Sequence, residues 1–222
     1  FESLKSSTTS AANTGIGYTA LTSVTTGTSN TAVGSGAGAC ITEGTNNLAL
    51  GKSALVFTTT GDHNIAMGED SVRCNTTGSQ NVAIAFRALK CNTTGANNIA
   101  ISYESLCANT TGDNNTAVGF RSLYANTTAD NNTAIGYQSL FANTTALSNT
   151  AVGFCSLQTN TTGTQNTSSG VSSMCSNTTG SYNVASGINA LCNNTTGNNN
   201  TAIGKNAGRD ITTGGENIAI GV

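Results

Sequence analysis

The chain has 222 residues and a formal net charge of −2, with 8% charged and 5% aromatic residues and neither Pro nor Trp. That charge leaves no basic footprint for nucleic acid or an anionic membrane surface. No apolar run approaches the ~18 residues of a membrane-spanning helix, so no membrane insertion is expected.

A strict internal period argues against disorder, the other reading of a weakly charged, weakly hydrophobic chain. An Asn recurs every 17 residues at Asn13, Asn30, Asn47, Asn64, Asn81, Asn98, Asn115, Asn132, Asn149, Asn166, Asn183, Asn200 and Asn217, without insertion or deletion. A fixed period of this size signals a solenoid or a repeat array. Each position is numbered below by its phase after that Asn, which is phase 0. Phe1 and Val222 share phase 5, and the chain is a whole number of repeats plus one residue. Residues 1–222 therefore read as a single β-solenoid repeat domain, a window of a longer fibre.

Each repeat opens on a predicted strand. Phases 1 and 3 carry Ile65 and Met67, Val82 and Ile84, Ile99 and Ile101, with Ala66, Ala83 and Ala100 between them. Period-two alternation puts phases 1 and 3 on one face. The near-uniform Ala of phase 2 fits close approach of a flat strand face to a neighbour. Gly34, Gly51, Gly68, Gly119, Gly136 and Gly153 follow at phase 4 and suit a corner. A second short strand is predicted over phases 6 to 10. Leu89, Leu106, Leu123, Leu140, Leu157 and Leu191 at phase 8 face in. Asp70, Arg87, Glu104 and Arg121 at phase 6, and Lys90 and Tyr124 at phase 9, face out. Asn-Thr-Thr-Gly forms the second corner.

A helical reading fails on this glycine and β-branched content. The fold class is therefore all-β: a parallel β-solenoid with one repeat per coil, thirteen coils, and identical side chains stacked in ladders. At ~4.8 Å per coil it makes a rod of about 60 Å.

Two coils depart from the pattern. Gly38 and Gly208 replace the phase 8 Leu, while Ile41 and Ile211 replace the phase 11 Asn. An apolar side chain has moved between two interior slots, so phase 11 points inward. Asn75, Asn92, Asn109, Asn126, Asn143, Asn160, Asn177 and Asn194 then form an interior ladder of amides bonded to amides and to backbone. All eight also head Asn-x-Thr, the N-glycosylation acceptor pattern. Glycans cannot sit every ~4.8 Å, so the triplet is read as corner chemistry.

Phase 5 holds an aromatic column, Phe86, Tyr103, Phe120, Tyr137 and Phe154, with Phe1 and Tyr18 earlier. If outward, it is an assembly stripe or a carbohydrate contact; if inward, it is core. Thr at phase 12 is present in every repeat, from Thr8 to Thr212, and phase 13 is Thr except at Glu43. A ranked Thr face suits ice binding, although two outward columns are expected for that role.

The seven cysteines are Cys40, Cys74, Cys91, Cys107, Cys155, Cys175 and Cys192. They are read as small residues filling ladder positions. Disulfides between adjacent coils, Cys175 with Cys192 or Cys74 with Cys91, fit the stacking distance without being required by it. No enzyme is expected. His63 is the single His, and Asp70 and Glu104 lie two coils apart with Arg87 between, a solvated charged face. No catalytic, cofactor-binding or metal-binding residue is assigned, and no cofactor is expected.

The stretch NTAVGFRSLYANTTADN from Asn115 resembles the head repeats of trimeric autotransporter adhesins, left-handed trimeric β-rolls that bind host matrix. Those repeats are usually shorter and lack the Asn-Thr-Thr-Gly corner. The longer form is similar to repeats in tail and surface fibres of phages and large viruses. The resemblance implies left-handed coils, a homotrimer, an extracellular, virion-surface or cell-surface location, and a host surface or carbohydrate as partner. The expected function is a rigid fibre segment that spaces or presents a binding tip. The alternatives are a self-assembling filament subunit stacking end to end, and an ice-binding solenoid.

Overall fold

The computed structural model describes residues 2–221, so Phe1 and Val222 lie outside the described residues. The chain forms two compact units, Phe1–Asp113 and Asn114–Val222. The first contains β1 (Thr14–Ile16), β2 (Thr31–Val33), β3 (Leu48–Leu50), β4 (Ile65–Met67), β5 (Val82–Ile84) and β6 (Ile99–Ile101). The second contains β7 (Thr116–Val118), β8 (Thr133–Ile135), β9 (Thr150–Val152), β10 (Thr167–Ser169), β11 (Val184–Ser186), β12 (Thr201–Ile203) and β13 (Ile218–Ile220). Within each unit successive strands pair in parallel and in register, phase on phase: Ala66 sits beside Ala83, and Ala134 beside Ala151. Each unit is thus a parallel β-solenoid with one 17-residue repeat per coil, as the period predicts.

Each strand is three residues long because phase 4 leaves the β region. Gly119 has φ +132°, and a Cβ built there would lie 2.5 Å from the carbonyl oxygen of Gly136 in the next coil. Glycine is the residue that fits both the dihedral and the approach.

The strand faces the opposite way from the close-approach reading of its alanines. Ala66, Ala83, Ala117, Ala134 and Ala151 are fully buried, whereas Met67, Ile84, Ile135 and Val152 are exposed. The β-branched residues therefore point out and the methyl groups point in. The interior is narrow: across it the Ala column shares space with the phase 8 residues Leu89, Leu123, Leu140 and Leu157, all fully buried.

The predicted second strand is absent among the described residues. Phases 5 to 10 form successive turns. Arg121 and Leu123 adopt φ 50°, and Gln138 and Leu140 adopt 50° and 49°. The reason lies in which side chains go inside. Ser122 and Leu123 are sequence neighbours and both are fully buried. A strand alternates faces and cannot bury two in succession; alternating left- and right-handed residues can. Left-handed φ costs a non-glycine residue roughly 1–2 kcal/mol, comparable with the roughly 1.5–3 kcal/mol gained by burying a leucine. The turns still tie coils together. Leu123 N–H donates to Ser139 O at 2.9 Å in the next coil, and Gln138 N–H donates back to Phe120 O at 2.9 Å.

Gly38 and Gly208 occupy this left-handed phase 8 position, at φ 56° and 59°. A Cβ at Gly38 would sit 3.0 Å from Ile41 Cδ1, so the phase 11 isoleucine does fill the space the missing leucine leaves. Ile41 and Val24, both at phase 11, are buried, as expected for an inward phase.

Candidate functional site

Two kinds of ladder run along each unit, one inside and one outside. The interior asparagine ladder lies at the predicted residues. In the first unit Asn92 Nδ2 donates to Asn75 Oδ1 at 2.9 Å, and Asn109 Nδ2 to Asn92 Oδ1 at 2.8 Å. In the second unit the rungs join Asn126, Asn143, Asn160, Asn177 and Asn194 at 2.9–3.1 Å. Each amide nitrogen also closes its own corner, as when Asn160 donates to Gly163 O at 2.8 Å. All eight side chains are fully buried, so none offers its amide to a glycan in the folded chain. The ladder stops where Ile211 takes the next phase 11 position. Asn194 Oδ1 is buried there without a hydrogen-bond partner.

A second asparagine ladder went unread in the sequence, although its residues defined the period. The phase 0 asparagines from Asn30 to Asn200 are buried too. Asn64 donates from both its backbone N–H and Nδ2 to Asn47 Oδ1, at 3.0 and 3.1 Å, and from Nδ2 to Gly78 O at 2.9 Å. The same set recurs at Asn183, which bonds Asn166 and Gly197 O. One oxygen receives two donors from the next coil, which explains an Asn at every mark: only a primary amide supplies both the acceptor and the two donors.

The outward ladders are the candidate functional surface. The strand face presents Met67, Ile84 and Ile99 in the first unit, and Ile135, Val152, Val184 and Ile203 in the second, all exposed. Beside it the phase 5 aromatics point outward, resolving the core-or-surface alternative: Tyr103, Tyr137 and Phe154 are exposed, and Phe86 and Phe120 are half-buried. Their rings stack on one another. Phe120 and Tyr137 lie 5.2 Å apart at 7°, Tyr137 and Phe154 5.0 Å apart at 9°, and Phe86 and Tyr103 5.3 Å apart at 23°. Both faces of Tyr137 are therefore covered by neighbouring rings, and one face of Phe154 is.

A second aromatic pair, Tyr124 and Phe141, stacks at 5.4 Å on the phase 9 column. Arg121 lies between the two columns, its guanidinium carbon 5.4 Å from the ring centres of both Phe120 and Tyr124. This second column carries no sequence signal stronger than Tyr and Phe recurring one repeat apart.

The charged column differs from the solvated face expected of it. Arg87 does lie between Asp70 and Glu104, at 3.9 Å and 3.6 Å, and its guanidinium covers the Phe86 ring at 4.7 Å. Glu104, however, is buried, only 6% exposed. Stacking brings Arg87 of the preceding coil against its carboxylate, a consequence of the coil spacing that linear spacing does not display.

On the Asn-Thr-Thr corner the phase 12 hydroxyls turn to the backbone. Thr161 Oγ1 donates to Thr178 O at 3.1 Å, and Thr76 Oγ1 to Thr93 O at 3.0 Å. From Thr25 to Thr195 phase 12 is half-buried, and phase 13 is exposed, so over these coils one column faces water freely.

Cys91 and Cys107 hydrogen bond through their side chains. That bond, aided by Lys90 and opposed by burial, brings the Cys91 thiol down to about 6, and it pushes Cys107 up. No protein-family model matches the chain, and neither the curated proteins nor the solved structures provide a match.

Proposed function

We propose that the chain is a structural segment of a surface fibre, a rigid β-solenoid that associates with further copies of itself and spaces or presents a binding tip. One observation carries this reading: the strand turns its Ile, Val and Met side chains outward and its alanines inward. Contiguous apolar surface of this kind marks a contact face. A second copy is the occupant that matches it best. Its ridges repeat at the same inter-strand spacing of ~4.8 Å, so contacts made in one coil recur in every coil. A homotrimer of left-handed coils in an extracellular fibre is the form that the resemblance to phage, viral and adhesin repeats favours.

The stacked phase 5 rings support a protein contact over a sugar contact. Pyranose stacking needs open ring faces, and Tyr137 has both of its faces against Phe120 and Phe154. The single free Thr column weighs against ice binding for a similar reason, because the phase 12 hydroxyls are already bonded to backbone.

Sedimentation velocity and light scattering test the proposal. The expected result is a discrete oligomer, which a double Ile135→Glu, Val152→Glu variant converts to monomer while far-ultraviolet circular dichroism stays unchanged. A monodisperse monomer at high concentration for the parent chain sinks the self-association. Thermal hysteresis in the same samples would instead favour the ice-binding alternative.

A further inference from the structure

Cys175 and Cys192 both occupy phase 9, in adjacent coils of the second unit. Their Sγ atoms lie 2.9 Å apart, and both are free thiols. A disulfide bond needs ~2.05 Å between sulfurs and Cα atoms ~4.4–6.8 Å apart. The two residues are stacked one coil apart, at the ~4.8 Å spacing set by the paired strands of the same coils, which satisfies the second condition. The first needs the sulfurs to close by less than an ångström.

The backbone around the pair is already fixed on both sides. Met174 N–H donates to Ala190 O at 2.9 Å and Ser176 N–H to Cys192 O at 3.1 Å. The asparagine rung from Asn194 to Asn177, at 2.9 Å, joins the same two coils. Closing the bond therefore asks for side-chain rotation and no coil movement. Both thiols are half-buried, within reach of a small molecule at the surface.

Cys74 and Cys91 also share a phase in adjacent coils, phase 10, but the side chain of Cys91 is engaged by Cys107. Cys40 and Cys74 share phase 10 but are separated by the coil of Phe57, and Cys155 lies on the phase 6 column. Cys91 and Cys107 are bonded side chain to side chain but stand at phases 10 and 9, out of register.

We infer that Cys175 and Cys192 are a redox pair that a small-molecule disulfide converts into a covalent staple between neighbouring coils. The thiolate of Cys175 attacks one sulfur of the oxidant, displacing one thiolate and leaving a mixed disulfide on Cys175. Cys192 then attacks the Cys175 sulfur and displaces the second thiolate. Two protein thiols are oxidised, one disulfide is reduced to two thiols, and the two protein protons pass to the departing thiolates. The order follows from the environment of Cys192, whose thiol is pushed up to about 11, first by burial and then by its hydrogen bond to Cys175. Cys192 keeps its proton longer and serves as the resolving thiol.

The test uses the full chain, fully reduced, desalted and incubated with oxidised glutathione. The expected product lacks two of its seven thiols and carries no glutathione. Chymotryptic digestion, which cuts after Tyr182 and Leu191 between the two cysteines, should release them as one linked peptide that dithiothreitol separates. Cys192→Ser should stop the reaction at a glutathione adduct on Cys175, and Cys155→Ser should leave the link intact. The oxidised chain should melt at a higher temperature than the reduced one, with the difference abolished by reductant. Retention of all seven free thiols, stable adducts on both cysteines, or a bond that forms only among Cys74, Cys91 and Cys107 overturns the inference. Circular dichroism of each variant separates these outcomes from simple misfolding.

Discussion

Asn177 donates from Nδ2 to Asn160 Oδ1 at 2.9 Å and from the same nitrogen to Gly180 O at 2.9 Å, so one buried amide joins two coils and closes its own corner. Asn160 repeats the arrangement toward Asn143 and Gly163, at 3.1 and 2.8 Å. A mid-ladder substitution therefore orphans groups in both neighbouring coils. Asn160→Ala should cost about 1–3 kcal/mol, read as a lowered urea midpoint. Asn160→Asp should cost more at neutral pH, where the carboxylate lacks both donors, and part of that loss should return on acidification.

The end of the ladder should be improvable. Asn194 Oδ1 is buried and unpartnered where Ile211 stands next in the column. A Cβ at Gly208 would lie 3.1 Å from Ile211 Cδ1 and 3.2 Å from Leu191 Cδ2. Gly208→Leu alone should thus overpack, and Ile211→Asn alone should leave a void. The double variant restores the Leu and Asn pattern of the neighbouring coils and should be the more stable protein, by about 1 kcal/mol or more, with clear non-additivity in a double-mutant cycle. Additive effects would count against the shared interior slot.

Inward and outward strand positions should respond oppositely to a change in size. Ala134 is fully buried in a narrow interior, so Ala134→Val should destabilise by about 1–3 kcal/mol. Ile135, its neighbour, is 40% exposed, and Ile135→Ser should change the stability of a dissociated chain by about 0.5 kcal/mol or less. Thermal melts of the two variants under dissociating conditions give the comparison, and equal effects would contradict the facing of the strand.

Tyr137 is the middle ring of a three-ring stack. Tyr137→Ala removes two stacked contacts worth about 0.5–1.5 kcal/mol each beyond area burial, whereas Phe154→Ala removes one resolved pair. The denaturant midpoint should fall further for Tyr137→Ala, and the near-ultraviolet circular dichroism of the stack should drop.

Cys91 provides a pH signature. Its folded pKa, about 6, lies below the usual thiol value chiefly because Cys107 donates a hydrogen bond to it. The sign follows: the lowered pKa favours the thiolate, so its stabilising contribution is present above the unfolded thiol value and is lost as pH falls through about 6. Alkylation of Cys91 by iodoacetamide, followed by peptide mapping, should be rapid at pH 7 and decline below pH 6. Cys107→Ala should move that decline upward. A pH profile unchanged by Cys107→Ala would remove the hydrogen bond as its cause.

The sequence by itself determined the coil. The unbroken Asn register, the inward leucines such as Leu123, and the exchange of Leu and Asn for Gly38 and Ile41 located one turn per repeat and an interior amide ladder. These features are legible because a solenoid translates linear period directly into stacking, so side chains of one phase always meet. Only the tertiary structure decided which way the short strand faces. Ala134 and Ile135 are both apolar, and alternation alone does not say which fits a narrow interior. It also decided that Ser122 and Leu123 both go inside, which replaces the expected second strand with left-handed turns. The buried phase 0 amides, the covering of Glu104 and the contact of Cys175 with Cys192 likewise depend on distances between coils. Those distances are set by the path of the backbone through its corners, which spacing along the chain does not contain.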